Sequence, residues 1–308
     1  MCRFLFATSS DAWLTVLRAG IGLEVFLYAC SLHADWTGLF STGDNLLIDR
    51  QLSEAITSFY SVAMPRVSWF VGIGNSLGLS EAATLNLIWI ALAISSLLLV
   101  AGLFSRTAAV VTWLLHLAAA KSGGLISYGV DNLTTIGLFY LVLAPLPDSL
   151  SFDARRKAIR GKARWFGFYR RVLQCHLCVI YFVGGVAKAL GPGWWDGGSL
   201  WRALTRPPFQ VLPFDWLLMI RALLPLSGIA VMAIELLYPV FIWSRRTRPW
   251  WLGAMIVVHV GTAVAMGLYL FALVMIVLNL AAFGADYILP AKLKVRNYRR
   301  FAAPGTAS

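Results

Sequence analysis

The chain has 308 residues, of which 59% are hydrophobic and only 13% charged. Soluble chains of this size carry about a quarter charged residues, so disorder and an ordinary soluble globule are both excluded. The 26 Lys and Arg exceed the 14 Asp and Glu, leaving a formal net charge of +12. In a soluble protein that excess would point to nucleic acid; in a membrane protein it points to basic loops on one side of the bilayer.

A membrane helix needs about 20 mostly apolar residues. Eight runs qualify in chain order: 13–32, 83–104, 107–121, 131–146, 172–190, 222–243, 250–267 and 268–287. The first is long enough to span and holds Arg18 and Glu24, so it reads as a membrane helix rather than a cleavable leader. The segment 33–82 is the largest external stretch, with a turn signal at Ser41-Thr42-Gly43-Asp44-Asn45 and a breaker at Met64-Pro65. Short surface helices are expected at 50–63 and 66–74. The third and fourth runs are short, and one of them could be re-entrant. The segment 147–171 is a basic loop, and 191–220 is an external loop rich in Trp, Gly and Pro. The stretch Trp250–Ile288 is too long for one crossing and divides near Gly267. Strand periodicity is absent, which excludes an outer-membrane barrel. Residues 1–290 therefore read as one transmembrane domain, and 291–308 as a basic cytoplasmic tail expected to be disordered.

Charge tests the count. With eight crossings both termini share a side, and that side holds 18 basic residues against four acids. The opposite side holds six basic residues against eight acids. The positive-inside rule then places both termini in the cytoplasm of a multi-pass protein of the plasma membrane. The expected fold is an all-α polytopic bundle of about eight transmembrane helices. Anionic lipid, not nucleic acid, is the expected partner of the basic loop.

Ionisable groups inside a bilayer are costly and tend to mark function. The set is Arg18, Glu24, His116, Lys188, Glu235 and His259. Arg18 and Glu24 stand about 120° apart on their helix and cannot easily pair. Each is expected to find a partner on another helix, with Glu235 and Lys188 the candidates of opposite sign. A purely structural ion pair is an equal reading. Lys188 follows Gly184 and Gly185, seventeen residues beyond Arg171 and so about 26 Å along a helix, near its outer end. The glycines admit a close neighbour, and a lysine there is a candidate base. The plainer reading is a snorkelling lysine beside an interfacial Trp194-Trp195 pair. Asp131 opens the fourth helix and reads as a cap or as a polar group of a site. His259 reads as a hydrogen-bonded core residue or a site residue. Glu235 precedes Pro239, so it could serve the kink instead. Cys175-His176-Leu177-Cys178 has no second half-site, and no metal centre is expected. No phosphate-binding or dinucleotide-binding loop, zinc-protease motif or nucleophile elbow is present.

The stretch Gln174-Cys175-His176-Leu177-Cys178-Val179-Ile180-Tyr181-Phe182-Val183-Gly184-Gly185-Val186-Ala187-Lys188, followed by Trp195-Asp196-Gly197, resembles the vitamin K-dependent γ-carboxylase-like, horizontally transferred transmembrane (HTTM) domain. Tyr128-Gly129-Val130-Asp131, Glu235-Leu236-Leu237-Tyr238-Pro239, and His259 followed by Phe271 fit in order, so the resemblance covers roughly 10–287. It implies that Lys188 is the base that deprotonates a reduced quinone at the outer leaflet, with Glu235, His259 and Asp131 orienting. It implies a quinone-sized pocket involving Tyr181, Gly184, Gly185 and Trp195. The sequence departs from the carboxylases in three ways. Ala187 replaces the first of their paired lysines, no large lumenal domain follows, and no asparagine-histidine element is evident near Tyr128. A protein-glutamate carboxylase is therefore not expected. The leading expectation is a membrane-embedded enzyme, with lyase or oxidoreductase chemistry, acting on a quinone, a lipid or a small exported peptide, with a redox protein as a further possible partner. The alternatives are a non-catalytic quinone- or lipid-binding or assembly subunit, and a transporter.

Overall fold

A computed structural model describes residues 2–42, 47–60, 63–155 and 163–289. The expected turn at Gly43-Asp44-Asn45, the basic residues of 156–162 and the tail 291–308 lie outside the described residues. Every regular element among the described residues is helical. Six helices are long and apolar enough to cross a membrane: Ala12–Ser31, Glu81–Ala101, Ala163–Leu190, Phe214–Phe241, Arg248–Met266 and Tyr269–Ile288. The two short runs also form helices, Ser105–Ser122 and Gly129–Leu143, but neither joins that set; Gly129–Leu143 has only 15 residues. The chain divides into two compact units.

One unit holds Leu14–Lys162. Its helices are α1 (Ala12–Ser31, which starts two residues earlier), α2 (Arg50–Tyr60), α3 (Val67–Ser76), α4 (Glu81–Ala101), α5 (Ser105–Ser122) and α6 (Gly129–Leu143). Helices α2 and α3 fall where short helices are expected at 50–63 and 66–74. Helix α4 starts where the Ser80 hydroxyl accepts from the Ala83 N–H at 3.2 Å. It stops at Gly102, whose φ of 72° suits a residue without Cβ. Charged side chains close the helix ends. The Arg18 guanidinium donates to Leu99 O at 2.6 Å and Val100 O at 2.7 Å, satisfying the last carbonyls of α4. Its Nε donates to Asp148 Oδ2 at 2.6 Å, and Thr15 donates to the other oxygen at 2.6 Å. The expected pairing of Arg18 with Glu235 is thereby corrected, because an acid of the 147–171 loop reaches the buried guanidinium. Asp153 accepts from the Ser105 N–H at 2.7 Å and caps α5, while Arg106 donates to Val142 O and Ala144 O and closes α6.

The other unit holds Met1–Trp13 and Ala163–Leu293. Its long helices are α7 (Ala163–Leu190), α8 (Leu224–Phe241), α9 (Arg248–Met266) and α10 (Tyr269–Asn279). Helix α9 ends at Gly267 with φ 69°, the break expected from span length. Helix α10 widens into a π-turn at Leu280–Gly284. Ala282 O in that turn accepts from Arg170 Nε at 3.0 Å and Gln174 Nε2 at 2.6 Å, which anchors one end of α7. Helices α7 and α8 pack face to face through Gly185. A Cβ there would stand 2.8 Å from Leu236 N, so only glycine permits this approach.

Candidate functional site

Tyr181, Gly184, Gly185 and Lys188 recur at three- and four-residue spacing, so they share one stripe of α7. That stripe faces α8. Lys188 Nζ lies 2.6 Å from Glu235 Oε2, an ion pair whose side chains are 22% and 11% exposed. Glu235 thus serves Lys188, not the Pro239 kink. Gly184 leaves room for the pair: a Cβ there would come within 3.2 Å of Glu235 Oε2 and 3.7 Å of Lys188 Nζ.

The loop after α7 supplies a lid of aromatic surface. Lys188 Nζ lies 5.2 Å from the centroid of the Trp194 ring, a cation–π contact. Gly197, with φ 79°, lets the loop turn back onto the start of α8, where a Cβ would stand 2.7 Å from Pro225 N. Trp195, half-exposed, instead donates from Nε1 to Ala189 O at 2.9 Å. Sequence reasoning selected Trp195 as the pocket residue, and the structure sets its neighbour Trp194 against the lysine.

A buried polar network continues from Tyr181. The Tyr238 hydroxyl donates to Asn279 Oδ1 at 2.8 Å. Asn279 Nδ2 donates to Met275 O at 2.8 Å and to the Tyr181 oxygen at 2.5 Å. The Met275 carbonyl fixes the amide orientation, since the opposite flip would set two acceptors together. The Tyr181 oxygen also shares a hydrogen bond with His259 Nε2, 2.8 Å away. His259 Nδ1 is buried with no partner among the described residues. The His259 ring meets Phe271 edge-on at 6.0 Å.

Of the residues singled out in the sequence, Lys188, Glu235, Gly184, Gly185, Tyr181 and His259 gather in this unit. Asp131 belongs to the other unit. There it opens α6 and accepts from the Tyr128 N–H at 2.9 Å. Asn279 and Tyr238 were missed. A lone Asn in the apolar run of α10 was the available signal. Cys175 is exposed and Cys178 buried.

A family model of the HTTM domain matches residues 50–287, well over half of the chain. The chain belongs to the HTTM domain family. The carboxylase-like resemblance of the α7 stripe is consistent with that membership, and the HTTM region contains both the Lys188–Glu235 pair and its supporting network. With six helices of spanning length and composition, this HTTM protein is a multi-pass integral membrane protein. Neither the curated proteins nor the solved structures return a match.

Proposed function

We propose that this HTTM protein is a membrane-embedded enzyme in which Lys188, coupled to Glu235, moves a proton to or from a substrate at the extracytoplasmic face of the plasma membrane. The reading includes eight crossings with both termini cytoplasmic, so that α5 and α6 each traverse despite their length. The observation that carries it is the 2.6 Å contact between Lys188 and Glu235, set under Trp194 on the α7 stripe that also carries Tyr181. Transfer of the shared proton to the carboxylate leaves a neutral amine, which can accept a substrate proton. His259, held by Tyr181, would donate from Nδ1 to an oxygen that gains negative charge, in the tautomer that protonates that nitrogen.

A reduced quinone is the cofactor that the family resemblance implies. The buried, unpartnered His259 Nδ1 fits one of its oxygens, and Lys188 Nζ fits a hydroxyl to be deprotonated. When bound, such a group would supply redox chemistry that no side chain here provides. The chain's own residues hold and orient: the Tyr181–Asn279–Tyr238 chain holds the His259 ring, and Gly184 keeps the approach to the pair open. A lipid or a small exported peptide would be the acceptor of that chemistry.

A non-catalytic binding or assembly role is the second reading. It is favoured by the Trp194 contact, because ion pair and ring together satisfy the lysine without a substrate. Complementation of a deletion strain separates the two. Lys188→Ala and Lys188→Arg, at membrane levels matched to wild type, are expected to abolish function. Full complementation by either variant refutes the base.

A further inference from the structure

The unit Leu14–Lys162 carries a second buried polar cluster that the Lys188 site does not use. Glu24 and Tyr28 come from α1, His116 from α5, and Asp131, Thr134 and Thr135 from α6. Glu24, His116 and Thr134 have no exposed surface, and Asp131 and Tyr28 have almost none. Tyr28 faces Asp131. Asp131 also accepts from the Tyr128 N–H at 2.9 Å and sits in the first turn of α6, where the helix N-terminus favours an anion. Its charge is met.

Glu24 is different. Thr134 is the nearest hydroxyl and Asp131 also faces it, yet among the described residues neither carboxylate oxygen has a partner at hydrogen-bonding geometry. Thr134 Oγ1 and His116 Nε2 are also buried without a partner among the described residues. The His116 ring lies 5.1 Å from that of Tyr28, and its Nδ1 is 3.3 Å from Thr135 Oγ1. Arg18, on the same helix as Glu24, is spent on Asp148 and two carbonyls. The only titratable residue of α4, Glu81, is held by Arg50 at 2.8 Å. One buried carboxylate is thus left with acceptors in surplus and no fixed positive charge, an arrangement that is strongly unfavourable unless something positive enters.

We propose that Glu24, with Thr134 and the groups around it, forms a binding site for a single monovalent cation, either a sodium ion or a proton. The charge sets the class: one uncompensated carboxylate calls for one positive charge. The donors agree, since carboxylate and hydroxyl oxygens are hard ligands. No group of three or more His, Cys, Asp or Glu among the described residues is placed to hold a metal ion, so a multi-carboxylate cage for a divalent ion is not what this cluster offers. The site stands independently of the Lys188 chemistry.

The test uses the full chain in lipid nanodiscs, with thermal unfolding of wild type, Glu24→Gln and Thr134→Val. Sodium chloride is titrated against choline chloride at constant ionic strength. A second arm varies pH from neutral to alkaline in choline alone. A sodium ligand raises the wild-type melting temperature saturably, needs about tenfold more sodium in Thr134→Val, and has no such effect in Glu24→Gln. A proton ligand leaves sodium and choline equivalent, while wild type falls below Glu24→Gln as pH rises and rejoins it as pH falls. Should Glu24→Gln fail to fold, the isosteric Thr134→Val carries both arms: it needs about tenfold more sodium, or, with a proton as ligand, loss of the hydroxyl beside the carboxylate makes its alkaline fall in stability larger than that of wild type. The proposal is overturned if the variants that fold respond to sodium and to pH as wild type does.

Discussion

Replacing Glu235 by Leu removes the carboxylate from Lys188 and leaves an ammonium in a site that is only 22% exposed. At 2.6 Å the gross attraction is about 6 kcal/mol with an effective dielectric near 20. Most of that is offset by the desolvation of both ions. Breaking such a pair from one side costs about 3–5 kcal/mol, and water access to Lys188 argues for the lower end, about 3 kcal/mol. Lys188→Met is expected to cost about as much, since Glu235 is the more buried partner. The double variant Lys188→Met/Glu235→Leu buries no charge and is expected within about 1 kcal/mol of wild type. The assay is unfolding of all four proteins in nanodiscs, read as a double-mutant cycle. A coupling of about 3 kcal/mol or more supports the geometry. If the double variant loses the sum of the two single losses, the residues do not interact and the reasoning fails. The same double variant separates stability from function, because it should fold well and complement nothing.

Other expectations follow from single contacts. Gly185→Val drives a side chain into the Leu236 backbone, 2.8 Å from the Cβ position, and should cost more than about 3 kcal/mol, seen as lost expression or a large fall in melting temperature. Gly184→Ala meets only the movable end of Glu235 at 3.2 Å, so it should fold and lose function out of proportion to stability. Asn279→Leu removes bonds to Tyr181, Tyr238 and Met275 and should cost about 2–4 kcal/mol while freeing the His259 ring, detectable as altered imidazole resonances. Asp148→Asn leaves the guanidinium of Arg18 buried against a neutral partner and should cost about 3 kcal/mol, checked by the same unfolding assay.

Much of the site was legible because a bilayer makes ionisable residues conspicuous. Lys188, Glu235 and His259 stand almost alone in apolar runs, and Gly184 and Gly185 announce a close approach. Asn279 carries no charge, and its one mark was to be a lone amide in an apolar run; Tyr238 stood in the Glu235–Pro239 stretch, where an aromatic ring looks like a packing residue. Asp148 was counted with a loop, and only the fold brings it to Arg18, 130 residues away. Trp194 and Trp195 are adjacent and chemically alike. Which of them meets Lys188 depends on a backbone turn that includes Gly197.

The amino-acid sequence by itself determined where the helices lie, because run length, glycine breaks and charge asymmetry are local properties that a membrane filters strictly. The break at Gly267 and the two helices outside the long set, one short at 15 residues and one less apolar, are of this kind. The partnership of the buried charges was decided only in three dimensions. A carboxylate can neutralise any cation that the packing brings within about 3 Å, and distance along the chain places no limit on which one. Hence the apolar runs foretold the helices, six of them long and apolar enough to cross a membrane. Tertiary structure alone gave Arg18 to Asp148 and Lys188 to Glu235, and left Glu24 without a basic partner among the described residues.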